Sequence, residues 1–250
     1  MLRPTILSRT LCGAALGLAA LFALRPIPAR AQADDRLTSA VSPVRGEFGG
    51  GLVLAVPVGE FGEYVDLGGG MSAFAVLYVD DQETIGLRVS GSWLIYGSNT
   101  VRVPLSPTVP FVNVDVTTQN WIGSLGFGPQ IVLGHGAVRP HLHGSVGFSY
   151  FATSTSVEGS HSSGPFASTT NFDDFTFALE GGGGLRIALV ERRSNPLSLD
   201  LGASFLRHGL TDYLREDGLV EAPGGGVEVR PIRSRTSLAK FYVGVSYGMR

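Results

Sequence analysis

Eight stretches of this 250-residue chain alternate apolar and polar residues with a period of two, and almost no helical period competes with them. They span roughly 46–57, 68–79, 84–97, 119–134, 140–153, 174–191, 196–208 and 236–249. A period of two sends successive side chains to opposite faces of a strand. In the third stretch Ile85, Leu87, Val89, Trp93 and Ile95 share one face, and Arg88, Ser90 and Ser92 the other. In the seventh, Leu197, Leu199, Leu201, Ala203 and Phe205 oppose Ser198, Asp200, Gly202 and Ser204. In the eighth, Phe241, Val243, Val245, Tyr247 and Met249 oppose Lys240, Tyr242, Gly244, Ser246 and Gly248. The second stretch (Met71 to Val79) is apolar on both faces.

The links sharpen the picture. Asp80–Glu83, His135–Arg139 and Arg192–Asn195 are short, whereas 58–67, 98–118, 154–173 and 209–235 are mostly long and polar. A short/long alternation trims one end of the molecule and elaborates the other, as in outer-membrane barrels. The pattern predicts an all-β, eight-stranded antiparallel up-and-down transmembrane β-barrel over residues 46–250, with short periplasmic turns and long extracellular loops. A soluble lipocalin-like carrier would need the opposite polarity, apolar inside and polar outside. Trp93, Tyr96 and Trp121 fall toward the long-link end and Tyr78 and Tyr247 toward the short-turn end, the expected places for rings at a membrane boundary. Pro129, inside "LGFGPQIVLG", interrupts the fourth stretch and predicts a bulge there.

The first 33 residues have a basic start (Arg3, Arg9), an apolar stretch from Leu11 to Leu24 and a small-x-small site at Ala31–Ala33. These are the marks of a cleaved secretory signal peptide, followed by an exposed leader over 34–45. Cys12 is the one cysteine and lies in that segment, so the expected mature chain has neither a disulfide nor a thiolate metal site. Without the four leader arginines the chain carries 15 basic and 21 acidic residues, a net charge near −6. That balance offers nucleic acid no electrostatic foothold.

Three segments, "GGGLVLAVPVGEFGEY" (Gly49–Tyr64), "TIGLRVSGSWLIYGS" (Thr84–Ser98) and "AKFYVGVSYGMR" (Ala239–Arg250), resemble the eight-stranded outer-membrane barrels of the OmpA-like and OmpX-like type. In the first, a Pro-x-Gly-x-Phe turn ends the strand. The resemblance implies an outer-membrane location and insertion by the barrel-assembly machinery, which in many such proteins reads a C-terminal aromatic. Here the end reads Tyr247-Gly248-Met249-Arg250, with the aromatic displaced.

By strand parity the interior receives Glu47, Arg88, Glu180, Arg186, Asp200 and Lys240. Charges in a narrow bore have to pair or stay hydrated, and eight strands leave room for little beyond side chains. A plug of ion pairs is therefore expected ahead of an ion-conducting pore. His141, His143 and Ser145 share one face in "PHLHGSVGF", with a His-x-Ser spacing similar to that of outer-membrane lipid A deacylases. Neighbours on one strand face sit about 7 Å apart, too far for direct proton transfer unless they lean together. A two-histidine metal site there lacks an evident third ligand. Arg230, Arg233 and Arg235, in the last long link, are candidates to pair with lipopolysaccharide phosphates, against the alternative of a solvated loop offset by nearby acids. The four glycines Gly181–Gly184 keep the odd-numbered apolar phase of Phe177, Leu179, Leu185 and Ile187 and carry no Lys-Ser/Thr, so they read as strand rather than a phosphate loop.

The function expected is an integral outer-membrane barrel with a structural or surface-exposed role, no cofactor and no catalytic residues, in contact with outer-membrane lipid and lipopolysaccharide. Both mature termini are expected on the periplasmic side. The alternatives are a narrow OmpW-like channel for small or hydrophobic molecules and a lipid A-modifying enzyme.

Overall fold

Alternating apolar residues are a local instruction to form a strand, and the chain follows it almost throughout. The computed structural model describes residues 46–106, 109–159, 165, 167–190, 196–214, 219–221 and 227–249. The signal peptide expected over 1–33 and the leader over 34–45 lie outside the described residues. The strands are β1 (Gly46–Val58), β2 (Gly68–Tyr78), β3 (Ile85–Ser106), β4 (Val109–Val132), β5 (Val138–Gly159), β6 (Ala167–Val190), β7 (Leu197–Tyr213), β8 (Leu219–Glu221), β9 (Val227–Val229) and β10 (Ile232–Met249). A short 3₁₀ turn, Gly59–Glu63, follows β1.

Eight of these strands close into an antiparallel ring in the order β1-β10-β7-β6-β5-β4-β3-β2. The seam joins the first strand to the last, from Gly46↔Met249 to Val58↔Ser237. Each strand otherwise pairs with its neighbours in sequence, apart from the small β8–β9 hairpin set into the last long link. Closure leaves the ring with no edge strand.

The polarity is inverted relative to a water-soluble barrel. Leu52, Met71, Leu125 and Phe175 point outward and are each at least 60 % exposed, while Glu47, Arg88, Arg186, Asp200 and Lys240 point inward and are buried. Met71 and Leu77 face out on β2, as does Val79 just beyond it, and Phe74 and Val76 face in, which settles the strand that is apolar on both sides. Trp93, Trp121 and Tyr150 form a chain of rings with centroids 5.1 and 5.4 Å apart. Phe48 and Tyr247 meet near the other end at 5.4 Å.

Several expectations need correction. Tyr78 and Tyr96 are not boundary rings: both point into the bore, where Tyr96 is buried and Tyr78 donates a hydrogen bond to Glu47. Tyr96 shares the even-numbered phase of Arg88, Ser90 and Ser92, so parity decides its side and proximity to a strand end does not. No bulge forms at Pro129 either. Pairing to β5 passes from Phe127↔Val146 to Gln130↔His143 in unbroken register, and Pro129 stays opposite Leu87 on β3. The missing N–H is absorbed by a local gap in the β5 ladder, where Gly128 lets the two backbones approach so closely that a Cβ would overlap the Gly144 carbonyl. The four longest strands also run on past the apolar belt. β3 and β4 stay paired as far as Ser106↔Val109, and β5 and β6 as far as Val157↔Ala167, so much of the expected loop 98–118 is hairpin.

Candidate functional site

Among the described residues the buried ionisable side chains converge in the bore, which has two storeys. At the short-turn end the start of β1, the end of β6 and the start of β7 bring Glu47, Arg186 and Asp200 together. Arg186 Nη1 lies 2.6 Å from Glu47 Oε2, and Nη2 lies 3.7 Å from Asp200 Oδ2. Tyr78 bridges the first pair, donating to Glu47 Oε2 at 2.7 Å and accepting from Arg186 Nη1 at 2.9 Å. On the far side of Asp200, His141 Nε2 approaches Oδ1 to 3.7 Å and the Tyr242 hydroxyl to 3.0 Å.

Above this layer Lys240 Nζ pairs with Glu180 Oε1 at 2.8 Å, and the Ser204 hydroxyl donates to the same oxygen at 2.6 Å. Arg88 is held otherwise: its Nη1 donates to Gln130 Oε1 at 2.7 Å, and its guanidinium lies 3.9 Å from the centre of the Phe74 ring. The six charged residues thus fall into three groups. Three cations face three carboxylates, two of the cations in direct ion pairs and Arg88 held by Gln130 and the Phe74 ring, and such a balance is how a low-dielectric bore tolerates charge.

Between the storeys lies a cavity of about 40 Å³, lined by Arg88, Ser92, His143, Glu180, Lys240 and Tyr242 among others. It has room for a few waters, since one needs roughly 10–15 Å³ on such a measure. The upper storey combines an aromatic box with hydrogen-bonded polar side chains, among them Thr153–Asn120 and His208–Ser149. Phe61, wholly buried, comes in from the 3₁₀ turn and meets Tyr213, Tyr96 and Phe151 at centroid distances of 4.9, 5.7 and 6.3 Å, each edge to face. Leu94, Ile122, Leu206 and Leu238 close the box around them. Polar side chains thus fill both halves of the interior, the charged ones collect in the lower half, and the aromatic box is the feature that the expectation did not include.

Gly59 allows this infolding. Its φ of +69° is a left-handed conformation that residues with a Cβ rarely adopt, and it turns the chain from the rim into the bore. The Pro-x-Gly-x-Phe spelling was the sequence signal for that turn, although the inward course of Phe61 is not contained in it. Phe151 shares the phase of His141, His143 and Ser145 and was legible as an inward residue. Tyr213 was not, because the irregularity opposite Arg235–Ser237 puts an extra residue into β7 and resets its phase above His208, while β10 keeps its even-numbered inward phase.

His141, His143 and Ser145 all lie on the inward face of β5. The two imidazoles stack at 6.0 Å, and His141 turns Nε2 to Tyr242 rather than toward a serine. Among the described residues no group of three or more His, Cys, Asp or Glu side chains is placed to hold a metal ion. Arg230, Arg233 and Arg235 are exposed at the long-link end. Arg233 Nε lies 3.9 Å from Asp212, and the Arg235 backbone N–H donates to Glu60 at 3.3 Å.

No protein-family model matches the chain, and neither does any curated protein. Solved structures do resemble it. Neisserial surface protein A is 13 % identical, with 80 % of this chain and 95 % of that one covered and a TM-score of 0.47. Ail, the attachment invasion locus protein of Yersinia pestis, is 12 % identical over 82 % of this chain and 97 % of its own, with a TM-score of 0.41. OprG, an outer membrane protein from Pseudomonas aeruginosa, is 11 % identical over 84 % and 99 %, with a TM-score of 0.39. The barrel assignment rests on the closed strand pairing of this chain itself.

Gly181–Gly184 run through β6 without a register shift on either side, from Gly144↔Gly181 to His141↔Gly184 and from Gly181↔Phe205 to Gly184↔Gly202. Gly184 leaves space for Tyr242 and His141: a Cβ there would lie 2.7 Å from the tyrosine oxygen and 2.9 Å from the imidazole. A Cβ on Gly202, across the ladder, would overlap the same hydroxyl. Gly184 and Gly202 let the Tyr242–His141 contact of the lower storey form.

Proposed function

We propose that this protein is an integral outer-membrane barrel, exported by a signal peptide over residues 1–33, whose bore is plugged and whose role is structural or carried by its outer surface. The observation that carries the reading is the inverted polarity of a closed ring, apolar side chains outward and paired charges inward. In water such a surface is a large contiguous apolar patch, which soluble monomers avoid. In a bilayer it is the solvated face, and closure satisfies every strand of the ring.

A plug is favoured over a channel because both storeys are filled. The ion pairs occupy the short-turn end, the aromatic box occupies the long-link end, and the space between admits only a few waters. Placement of both chain ends of the ring at the short-turn end supports a periplasmic position for them, with the paired hairpins β3–β4 and β5–β6 outside. Arg230, Arg233 and Arg235 then stand above the apolar belt, where lipopolysaccharide phosphates are within reach of guanidinium groups. Insertion falls to the barrel-assembly machinery, with β10 as the closing strand. No catalytic role is assigned to His141, His143 or Ser145, since they face the bore and a lipid substrate meets the opposite face.

Planar-bilayer recording tests the plug: discrete single-channel steps from the wild-type protein would overturn it. Fractionation with gel mobility before and after heating tests the location. A protein recovered soluble, with no heat-dependent shift, would defeat the membrane reading.

A further inference from the structure

Phe61 is held differently from the rings around it. Tyr96, Phe151 and Tyr213 stand on strands of the closed ring, whereas Phe61 stands on the five-residue turn Gly59–Glu63. The main-chain hydrogen bonds of that turn, Tyr64 N–H and Val65 N–H to the Phe61 carbonyl, are internal to the link. Its bond to the barrel wall is the 3.3 Å contact between Glu60 and the exposed Arg235 N–H. The Phe61 ring, with Val65 just beyond the turn in the same buried cluster, therefore anchors the turn, and main-chain bonds to the wall do so only weakly. Gly59, at φ +69°, is the point where the chain pivots inward.

The box that Phe61 fills is already shaped for a flat ring, with three aromatic edges or faces presented to it. It is continuous with the mid-barrel cavity, because Val53, Ala178 and Leu206 wall both. At the cavity, Ser92 Oγ is buried and has no hydrogen-bond partner. Buried hydroxyls of that kind are normally satisfied. The charges of the bore are balanced, three of each sign, so a charged occupant would leave one of them uncompensated.

We propose that the outer half of the barrel is a binding site for a small, uncharged, planar aromatic molecule carrying one polar group, of phenol to indole size, and that the Phe61 ring occupies this site until the Gly59–Glu63 turn swings out. The incoming ring takes over the edge-to-face contacts with Tyr96, Phe151 and Tyr213. Its polar group faces the cavity and the Ser92 hydroxyl. The site depends on the barrel fold and not on the membrane role proposed above.

The test uses the full chain in lipid nanodiscs, with 4-fluorophenylalanine at position 61 and indole as the probe. Indole should produce a second, solvent-like fluorine resonance that grows saturably at the expense of the buried one. In parallel, Phe61→Ala should bind indole about tenfold or more tightly than wild type, because it need not first vacate the site. A position-61 resonance unchanged at saturating indole overturns the proposal, whatever the alanine variant does. So does a signal that drifts linearly with indole, the mark of partition into lipid. Either failure leaves the plugged-barrel reading intact, since conductance and heat-shift experiments address that separately.

Discussion

The Tyr242 hydroxyl lies 3.0 Å from His141 Nε2, reached from β10 past β7 and β6 through space that Gly202 and Gly184 leave open. Four of the chain's glycines in a row look like flexibility. In this ring the last of them, Gly184, forms with Gly202 a shaped gap.

Adding a methyl group inside that gap should be costly. Gly202→Ala forces Tyr242 off His141 and should lose about 1–3 kcal/mol, the usual range for overpacking. Gly181, whose Cβ would meet nothing within 4 Å, is the control: its alanine variant should stay within about 0.5 kcal/mol. Urea unfolding in lipid vesicles measures both, and equal losses would contradict the account of the glycine run.

The Lys240–Glu180 pair is buried and short, 2.8 Å. Lys240→Met leaves an uncompensated carboxylate and should cost about 3–5 kcal/mol. Removing the second charge as well, in Lys240→Met/Glu180→Gln, should restore most of that loss. A double-mutant cycle reads the coupling; additive losses would mean that the two groups do not depend on each other.

Phe61→Ala empties the centre of the aromatic box and should lower stability by about 3–5 kcal/mol. It should not create a channel, because the layer of Glu47, Arg186 and Asp200 still fills the other end. Single-channel steps in this variant would move the barrier from the ion layer to the aromatic box.

Trp93 and Trp121 are the chain's two tryptophans, and their rings pair at 5.1 Å on the outward side. In vesicles their fluorescence should be quenched strongly by phospholipids brominated on the acyl chain and weakly by aqueous acrylamide. The reverse ranking would place the apolar face somewhere other than in lipid.

Asp80 closes the β2–β3 turn by accepting the N–H groups of Ile85 at 2.8 Å and Thr84 at 2.9 Å. Those backbone donors, Ile85 first, hold its carboxyl below the ordinary carboxylate range. With the folded value depressed, the stabilisation is complete above the unfolded value and fades as pH falls through the folded one. The Thr84 and Ile85 amide resonances should move together in that acid window and nowhere between neutral and alkaline pH. Asp80→Asn should abolish the step, and a transition near neutral pH would contradict the assignment.

Much of this molecule was written locally. Side-chain alternation needs only two-residue spacing, so strand number, the inward face of β3, β7 and β10, and the inward course of all six charges could be read from the chain. The glycine run kept its phase and was legible as strand for the same reason. Polar composition misled at the outer ends: residues 98–106 and 109–118 look like loop because no apolar belt marks them, yet partner strands pair them.

What remained hidden depends on contacts between residues far apart in sequence. Parity says that Arg186 and Arg88 both point inward. Only the closed ring decides that Arg186 meets Glu47, 139 residues away in sequence, while Arg88 settles on Gln130 and the Phe74 face. The same holds for Phe61. Pro57 and Gly59 specify a turn, but the ring turns inward because Tyr96, Phe151 and Tyr213 offer it an apolar cage that exists only once the ring of strands has closed.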